Sequence, residues 1–577
     1  MRTHYPRTPH LPWSPGAASD DVRARDLDGL RGREVVVTEK LDGENTTLYT
    51  DGLHARSPDS AHHPSRAWVK ALQGRIGSAI PPGRRVCGEN LFARHSLAYE
   101  ALDSWFYGFS VWDGDRCLDW DATTGFLRRL GVPVPPVLWR GTFDERALRA
   151  LRVDTARQEG WVVRTTEGFA REEFGRRVAK WVRPDHVRTS THWMHAAVVE
   201  NGLGPAAALW AVRSGAAPDP AALVTALGLP AQDTRDAHAA ADAAARLDVL
   251  GRTGDARLAG VLAALLHGAH RAPLAARLAG PLGMATARRV ADLVGLHAAL
   301  HLPYPDRDRR AGLGRLSLAA DLGVLHAVAA AVAPGDAARE QAEWSALHAD
   351  AAGLLAEEPS APLRDGLRDA LAGLGRAAAD RCWTEARTAY AAGRLGSAEE
   401  AVAATWRYRS GDFPRLIHLV GPAGSGKSTF AAGLDGVDTR VSLDELRTAR
   451  GSRADQRANQ EVLRDGLRGL DSALTGRATV VWDATSLSPH QRSLVHAVAR
   501  RRDALVTHVV ALVGEDELAR RNAVRDHPVP GAVLTAQTRR FDPPYPGHAH
   551  RTCYLGADGT VEDTDGTLGA AAHGQEV

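Results

Sequence analysis

Lysine is almost missing from this 577-residue chain: of its 71 lysine and arginine residues, only Lys40, Lys70, Lys180 and Lys427 are lysine. Arginine supplies positive charge nearly everywhere else, and a guanidinium does not deprotonate in a protein. A lysine amine does, so the survivors mark positions where a nucleophilic or closely fitted amine is required. Three of them lie in distinctive motifs: TEKLDGEN (38–45), VAKWVR (178–183) and GPAGSGKS (421–428). Cysteine is also scarce. Cys87, Cys117, Cys382 and Cys553 have no disulfide or metal-ribbon spacing, which predicts a reducing, cytoplasmic setting. Neither sign of charge dominates: a net charge of +2 excludes a global polyanion-binding surface and leaves any nucleic-acid contact to local patches. The N-terminus, MRTHYPRTPHLPWSPG, lacks the apolar segment of a signal peptide, and no apolar run is long enough to span a bilayer. No membrane partner is expected.

What is present divides the chain into three textures. Residues 1–188 hold β-branched and aromatic runs (EVVVTEK, RRVCGEN, FYGFSVWD, GWVVRT, RRVAKWV) that read as short strands between Gly, Asp and Pro turns. Residues 189–405 turn to Ala/Leu/Arg-rich segments with apolar positions three and four apart, an all-helical stretch with PYPDRDRR (303–310) as its clearest loop. Residues 406–577 alternate strand and helix. RLIHLV (415–420), RATVVWDATS and DALVTHVVALVG have the composition of buried parallel strands, and the last fifteen or so residues read as a loose polar tail. The expected fold class is multidomain: antiparallel sheets, then an all-α region, then a parallel α/β sheet.

GPAGSGKS follows an apolar strand and opens a helix, which is the setting of a phosphate-binding P-loop. Gly421, Gly424 and Gly426 let backbone amides wrap phosphates, Lys427 reaches the β and γ oxygens, and Ser428, with Thr429 beside it, faces the Mg²⁺ side. VSLDELR sets Asp444 and Arg447 one helical turn apart at the end of the next strand. A carboxylate there accepts a proton from an attacking hydroxyl while the arginine grips a nearby phosphate. This segment resembles the polynucleotide 5′-kinases, with their Asp-x-x-Arg acceptor motif. The resemblance extends to WDATS (482–486), implying substrate contacts for Asp483 and Thr485. It also covers ARRNAVRDHPVPGAVL (519–534), where it implies a lid arginine at Arg525. DTDGT (563–567) matches the nucleophile motif of haloacid-dehalogenase phosphatases, but no strand-and-domain context surrounds it, so no phosphatase is expected.

EKLDGEN follows the apolar run EVVV, placing Lys40 at a strand end. It resembles motif I of the covalent nucleotidyltransferases. ARS (55–57), GEN (88–90), FYGFSVWD (106–113), EGWVVR (159–164) and VAKWVR resemble the companion motifs, in order, across nearly all of 1–188. The resemblance implies that Lys40 attacks the α-phosphate of ATP to give a lysyl-AMP, with Lys180 stabilising charge and helping to keep the Lys40 amine neutral. It implies Glu159 as metal ligand (Mg²⁺ or Mn²⁺), Glu89 on the ribose, Phe109 stacked on adenine, and Arg56, Glu39 and Asn45 as further nucleotide contacts. Asn45, five residues after the nucleophile, matches the phage-type and editing-type RNA ligases rather than DNA ligases. Val182 stands where the family often carries a second lysine, with Arg183 next to it.

In the helical stretch, residues 256–278 and 293–301 resemble HD-superfamily phosphohydrolases. Their metal-binding His-Asp pair falls on His267 and Gly268, and the lost carboxylate predicts a degenerate, structural domain. His238, His270 and His297 read as ordinary helix histidines. Taken together, the resemblances imply an RNA end-healing and sealing enzyme: a kinase phosphorylates 5′-OH ends with an NTP, and a ligase joins them to 3′-OH ends. RNA ends are the expected partners, DNA ends remain open to the kinase, and the oligomeric state is left open. A small-molecule kinase fused to another adenylyltransferase, or a nucleic-acid sensor with vestigial sites, would fit the same motifs with different acceptors.

Overall fold

The computed structural model describes residues 2–59, 62–184, 197–230, 236–303, 306–450, 459–525 and 528–569. The chain forms two compact units, Met1–Val261 and Leu262–Val577. The helical stretch is therefore shared: its first helices belong to the N-terminal unit and the remainder to the C-terminal one.

The first unit is built on two antiparallel sheets. Its strands are β1 (Glu34–Lys40), β2 (Glu44–Tyr49), β3 (Gly52–His54), β4 (Arg84–Asn90), β5 (Phe106–Asp113), β6 (Arg116–Cys117), β7 (Val137–Thr142), β8 (Gly160–Thr165), β9 (Phe169–Ala170) and β10 (Val178–Val182). One sheet has the order β10-β8-β1-β7 and the other β3-β2-β4-β5-β6-β9. The five segments read as strands are strands. Val35 and Val37 of β1 face a core with Leu11, Leu27, Trp161 and Val163, and Val36 on the opposite face is buried as well, so β1 is covered on both sides. On the second sheet, Leu48, Val86, Val111 and the helix Trp120–Leu130 close a separate core. Asp119 caps that helix, accepting from the Ala122 N–H at 2.7 Å. The chain after β10 returns to this unit. Asn201 donates to the Leu91 carbonyl (2.8 Å) and accepts from the Tyr99 N–H (3.0 Å), and Arg213 pairs with Asp255 at 2.8 Å.

The second unit centres on a six-stranded sheet of β11 (Arg415–Val420), β12 (Thr439–Ser442), β13 (Thr479–Asp483), β14 (Leu505–Ala511), β15 (Arg551–Leu555) and β16 (Val561–Asp565). Its order is β12-β13-β11-β14-β15-β16, parallel throughout except for β16. β11 lies where the strand order turns in both directions, and loops at the carboxyl ends of strands meet there. Two expectations are corrected. Residues 306–310, read as loop, begin the helix Asp306–Ala319, because the Asp/Arg run continues into an apolar helical pattern. The polar tail contains β16, which pairs with β15 and places Asp563 on Arg288 (2.7 Å) and Asp565 on Arg387 (3.1 Å). DTDGT is thus an ion-paired edge strand; residues 570–577 lie outside the described residues.

Arginine–aspartate pairs tie the helices of this unit to its sheet. Asp292, 2% exposed, accepts from Arg271 (2.6 Å) and Arg288 (2.9 Å), and Arg271 also lies over the ring of Tyr545. Removing one partner of a buried pair strands the remaining charge. Asp292→Asn removes the carboxylate shared by two buried guanidiniums, which keep Asp542 (3.2 Å from Arg271) and Asp563 as second partners, and is expected to destabilise this unit by about 1.5–3 kcal/mol. Chemical denaturation of the variant, compared with an exposed control such as Asp365→Asn, measures it.

Candidate functional site

The N-terminal motifs converge. β1 and β8 are antiparallel neighbours with Lys40 opposite Gly160, so Glu159 arrives beside the Lys40 end of β1. The Lys40 ammonium donates to Glu159 Oε2 at 2.5 Å. β10 lies on the other side of β8 and brings in Lys180, while β2 and β4 set Asn45 opposite Glu89. Gly43 is required by close approach: a Cβ there would lie 2.5 Å from the Asn90 carbonyl oxygen, and the Gly43 N–H donates to Glu89 Oε1 at 3.2 Å. Asp42 is held by the N–H groups of Ser96 and Leu97, both at 2.8 Å.

Charge inside this pocket is tightly coupled. Burial, opposed by Lys40 and aided by Glu159 and Asp42, pushes the Glu89 carboxyl up to about 8. Burial lowers the Lys40 pKa, but Glu159, Glu89 and Asp42 outweigh it, and the net direction is upward. Lys180 moves the other way, lowered by burial and then by the charges of Lys40 and Arg56. Lys40 and Lys180 disfavour each other's charge, and in the free protein the acidic groups around Lys40 outweigh that effect. The acidic groups around Lys40, Glu159 foremost, hold it as an ammonium. Glu159 and Glu89 present hard oxygen donors around that amine, a set that fits Mg²⁺ or Mn²⁺.

The remaining predicted residues lie around this centre. Glu39 accepts from Gln158 Nε2 at 3.0 Å, and burial raises its carboxyl. Arg56 is exposed, close enough to act electrostatically on Lys180. Phe109 is half-buried and meets the ring of Tyr5 edge-on, with centroids 5.2 Å apart. Val182 is core, and Arg183 is buried with its N–H on the Glu159 carbonyl at 3.1 Å. Sequence reasoning missed the buried pair Glu44–Arg66, whose Nε–Oε2 contact is 2.7 Å; Arg66 has no motif to signal it.

In the second unit, β11 leads into the glycine loop and the helix Lys427–Ala432. Gly421, Gly424 and Gly426 take φ values of 144°, 79° and 88°, the left-handed region that glycine adopts freely. The Lys427 ammonium donates to the Pro422 carbonyl (2.7 Å) and to Ser425 Oγ (3.2 Å). Burial lowers its pKa to about 8, with Asp483, Arg525 and Asp444 also acting on it. That coupling brings the predicted kinase residues into one neighbourhood. Asp444, about half exposed, pairs with Arg447 at 2.7 Å. Thr429 is exposed, and Thr485 serves through its carbonyl, which accepts from the Gly421 N–H at 2.9 Å. Asp483 Oδ1 accepts from Ser428 Oγ at 3.3 Å and its Oδ2 from Arg440 Nε at 3.1 Å. The Ser428 hydroxyl and Asp483 carboxylate form an oxygen pair that fits Mg²⁺. Arg440 and Gln537, whose Oε1 accepts from the Ala423 N–H at 2.9 Å, were not foreseen. No local pattern marks either one.

A phosphate seated in this loop favours the Lys427 ammonium. With a free-protein pKa of about 8, the amine is expected to take up about half a proton when NTP binds at pH 8. Calorimetry in buffers of different ionisation enthalpy measures this, and Lys427→Met should abolish that component.

The HD-like expectation yields little chemistry. His267 Nδ1 contacts the Ala264 carbonyl (3.0 Å), His301 the Ala329 carbonyl (2.8 Å), and His238 is exposed in the other unit. Among the described residues these histidines form no three-ligand group.

Comparison with known proteins agrees with this division. Residues 33–182 match the RNA ligase family model and residues 416–544 match the AAA domain family model. The chain thus carries an RNA ligase segment toward its N-terminus and a P-loop AAA segment toward its C-terminus. Among solved structures, a Naegleria gruberi RNA ligase with PPi aligns at 18% identity over 29% of this chain and 56% of its own, with a TM-score of 0.22. An archaeal ATP-dependent RNA ligase aligns at 15% over 31% and 48%, with a TM-score of 0.22. A sugar kinase from Janibacter sp. aligns at 18% over 25% and 86%, with a TM-score of 0.20. The chain spans about half the length of the ligases it matches. No curated protein matches it.

Proposed function

We propose that the chain is a two-site RNA end-processing enzyme that phosphorylates 5′-OH ends and then seals them to 3′-OH ends. The observation that carries the sealing half is the convergence of Lys40, Glu89 and Lys180 from three strands, and of Glu159 from just before a fourth, within the RNA ligase segment. In this reading Lys40 attacks the α-phosphate of ATP, pyrophosphate leaves, and AMP passes to the RNA 5′-phosphate before the 3′-OH displaces it. Glu159 and Glu89 would hold a divalent cation, whose charge would offset the acidic groups that keep the Lys40 amine protonated. Lys180 steadies charge on the phosphate, and Arg56 meets the nucleotide or the RNA end.

The phosphorylating half rests on the loop, Asp444 and Arg447. Asp444 accepts the proton of the 5′-hydroxyl, Arg447 holds the adjacent phosphate, and Lys427 with Arg525 stabilises the transferring group. Ser428 and Asp483 would hold Mg²⁺. The decisive substrate is a nicked RNA duplex with 5′-OH and 3′-OH ends, incubated with ATP and Mg²⁺ and resolved on a denaturing gel. A joined strand supports both activities. A phosphorylated but unjoined strand supports the kinase and rejects this nick as the ligase's substrate. An unchanged strand rejects the proposal.

A further inference from the structure

One buried group in the second unit is used by neither reaction. His418 of β11 and His508 of β14 are directly opposite in the parallel ladder, so both rings point to the same face of the sheet. The helix Pro489–Arg501 covers that face and brings His496 to them. His418 and His508 are both fully buried, and ligand nitrogens of the three imidazoles lie within 4.8 Å of one another. This is the only such group of three among the described residues.

Hydrogen bonding does not account for the cluster. His496 Nε2 meets His508 Nε2 at 2.8 Å, and His418 Nε2 meets Ser486 Oγ at 2.9 Å. His418 Nδ1 and His508 Nδ1 are left buried with no partner among the described residues. A buried imidazole nitrogen without a partner costs free energy whichever tautomer it adopts. Neutral imidazole nitrogens in a dry site are what a borderline divalent metal takes. Burial pushes His418 and His508 well below the usual histidine range and His496 down to about 4, so all three are neutral lone-pair donors.

The geometry points to a structural zinc-type site formed by His418, His496 and His508. Zinc–nitrogen bonds of about 2.0–2.1 Å place tetrahedral ligand nitrogens about 3.4 Å apart. The rings therefore need to close the 4.8 Å spread by roughly an ångström, opening the short His496–His508 contact to admit the ion. Arg492 is the nearby cation; its guanidinium is engaged with the Ser486 and Leu487 carbonyls at 3.1 and 3.2 Å and opposes the ion's charge. The affinity is accordingly lower than for a site that includes a carboxylate. Ser486 takes a left-handed φ of 48°, and the preceding residue, Thr485, accepts from the first glycine of the phosphate loop. A metal here would brace the segment that backs that loop without entering it, and the site stands whether or not the proposed activities do.

The test uses the full chain, purified without a histidine tag, stripped with chelator and titrated with Zn²⁺ and with Co²⁺. One equivalent of zinc is expected to bind, to raise the melting temperature, and to give tetrahedral Co²⁺ absorption bands. X-ray absorption of the zinc-loaded wild-type protein should show three imidazole nitrogens at about 2.0–2.1 Å, a readout that needs no variant to fold. His496→Gln, at the least buried of the three positions, should weaken binding by more than about 100-fold, beyond what loss of an outer-shell partner costs. His490→Gln, exposed on the same helix, should not. Failure to bind a stoichiometric ion at micromolar free zinc, or fewer than three imidazoles around it, overturns the site and leaves a neutral histidine cluster solvated by water.

Discussion

Replacing Lys40 with alanine, or with arginine, is expected to abolish the covalent AMP adduct and sealing while leaving 5′-phosphorylation at its wild-type rate. Arginine keeps the charge and the Glu159 contact but cannot present a free electron pair, so the two variants should be equally inactive. Losing a covalent nucleophile costs at least about 10³-fold, because the residual activity comes from binding and charge stabilisation alone. The check is incorporation of labelled AMP into the protein, alongside joining of a pre-phosphorylated nick. Appreciable adduct in Lys40→Arg would move the nucleophile elsewhere. Because Glu159 and its acidic neighbours hold the amine protonated, adduct formation in the wild-type protein should also quicken as pH rises through the neutral range.

Asp444→Ala is the converse. It removes the general base of the proposed kinase but none of the loop that binds NTP, so phosphorylation of 5′-OH ends should fall by about 10²–10⁴-fold. NTP binding and the sealing of 5′-phosphorylated ends should be retained. Asp444 also pairs with Arg447, and the alanine variant frees that arginine; Asp444→Asn keeps a polar neighbour for it and separates the two effects. If both changes leave phosphorylation intact, Asp444 is a helix-start residue and the acceptor site lies elsewhere. If either change abolishes sealing while the protein stays folded, the two-site reading fails.

The two sites differ in how legible they were. The phosphate loop is a local object: its glycines, lysine and serine are consecutive, and the strand before it and helix after it are set by apolar pattern alone. Its contacts from elsewhere, Arg440 on Asp483 and Gln537 on Ala423, come from segments with no signature. Lys40, Glu89, Glu159 and Lys180 were each visible as motif residues, but the sign of the charge balance was not. The sequence suggested a second lysine that keeps the first neutral. The pocket also sets acidic side chains around Lys40, because β8 places Glu159 against it and β4 adds Glu89, and their effect on the amine is the larger.

The division of the helical stretch shows the same limit. Its periodicity announces helices, yet periodicity says only that one face of each is covered, not what covers it. Arg213 and Asp255 join helices within the first unit, and the Arg271–Asp292–Arg288 group joins helices to β16 within the second. Those pairs are set by distances between residues tens or hundreds apart in sequence. The residue types needed for chemistry, and the strands and loops that carry them, follow from local order along the chain, because backbone sterics and apolar period act over a few residues. Which charges share a pocket, which aspartates neutralise which arginines, and that three histidines meet beneath the phosphate loop were decided only by tertiary folding, because burial and Coulomb energy depend on separation in space.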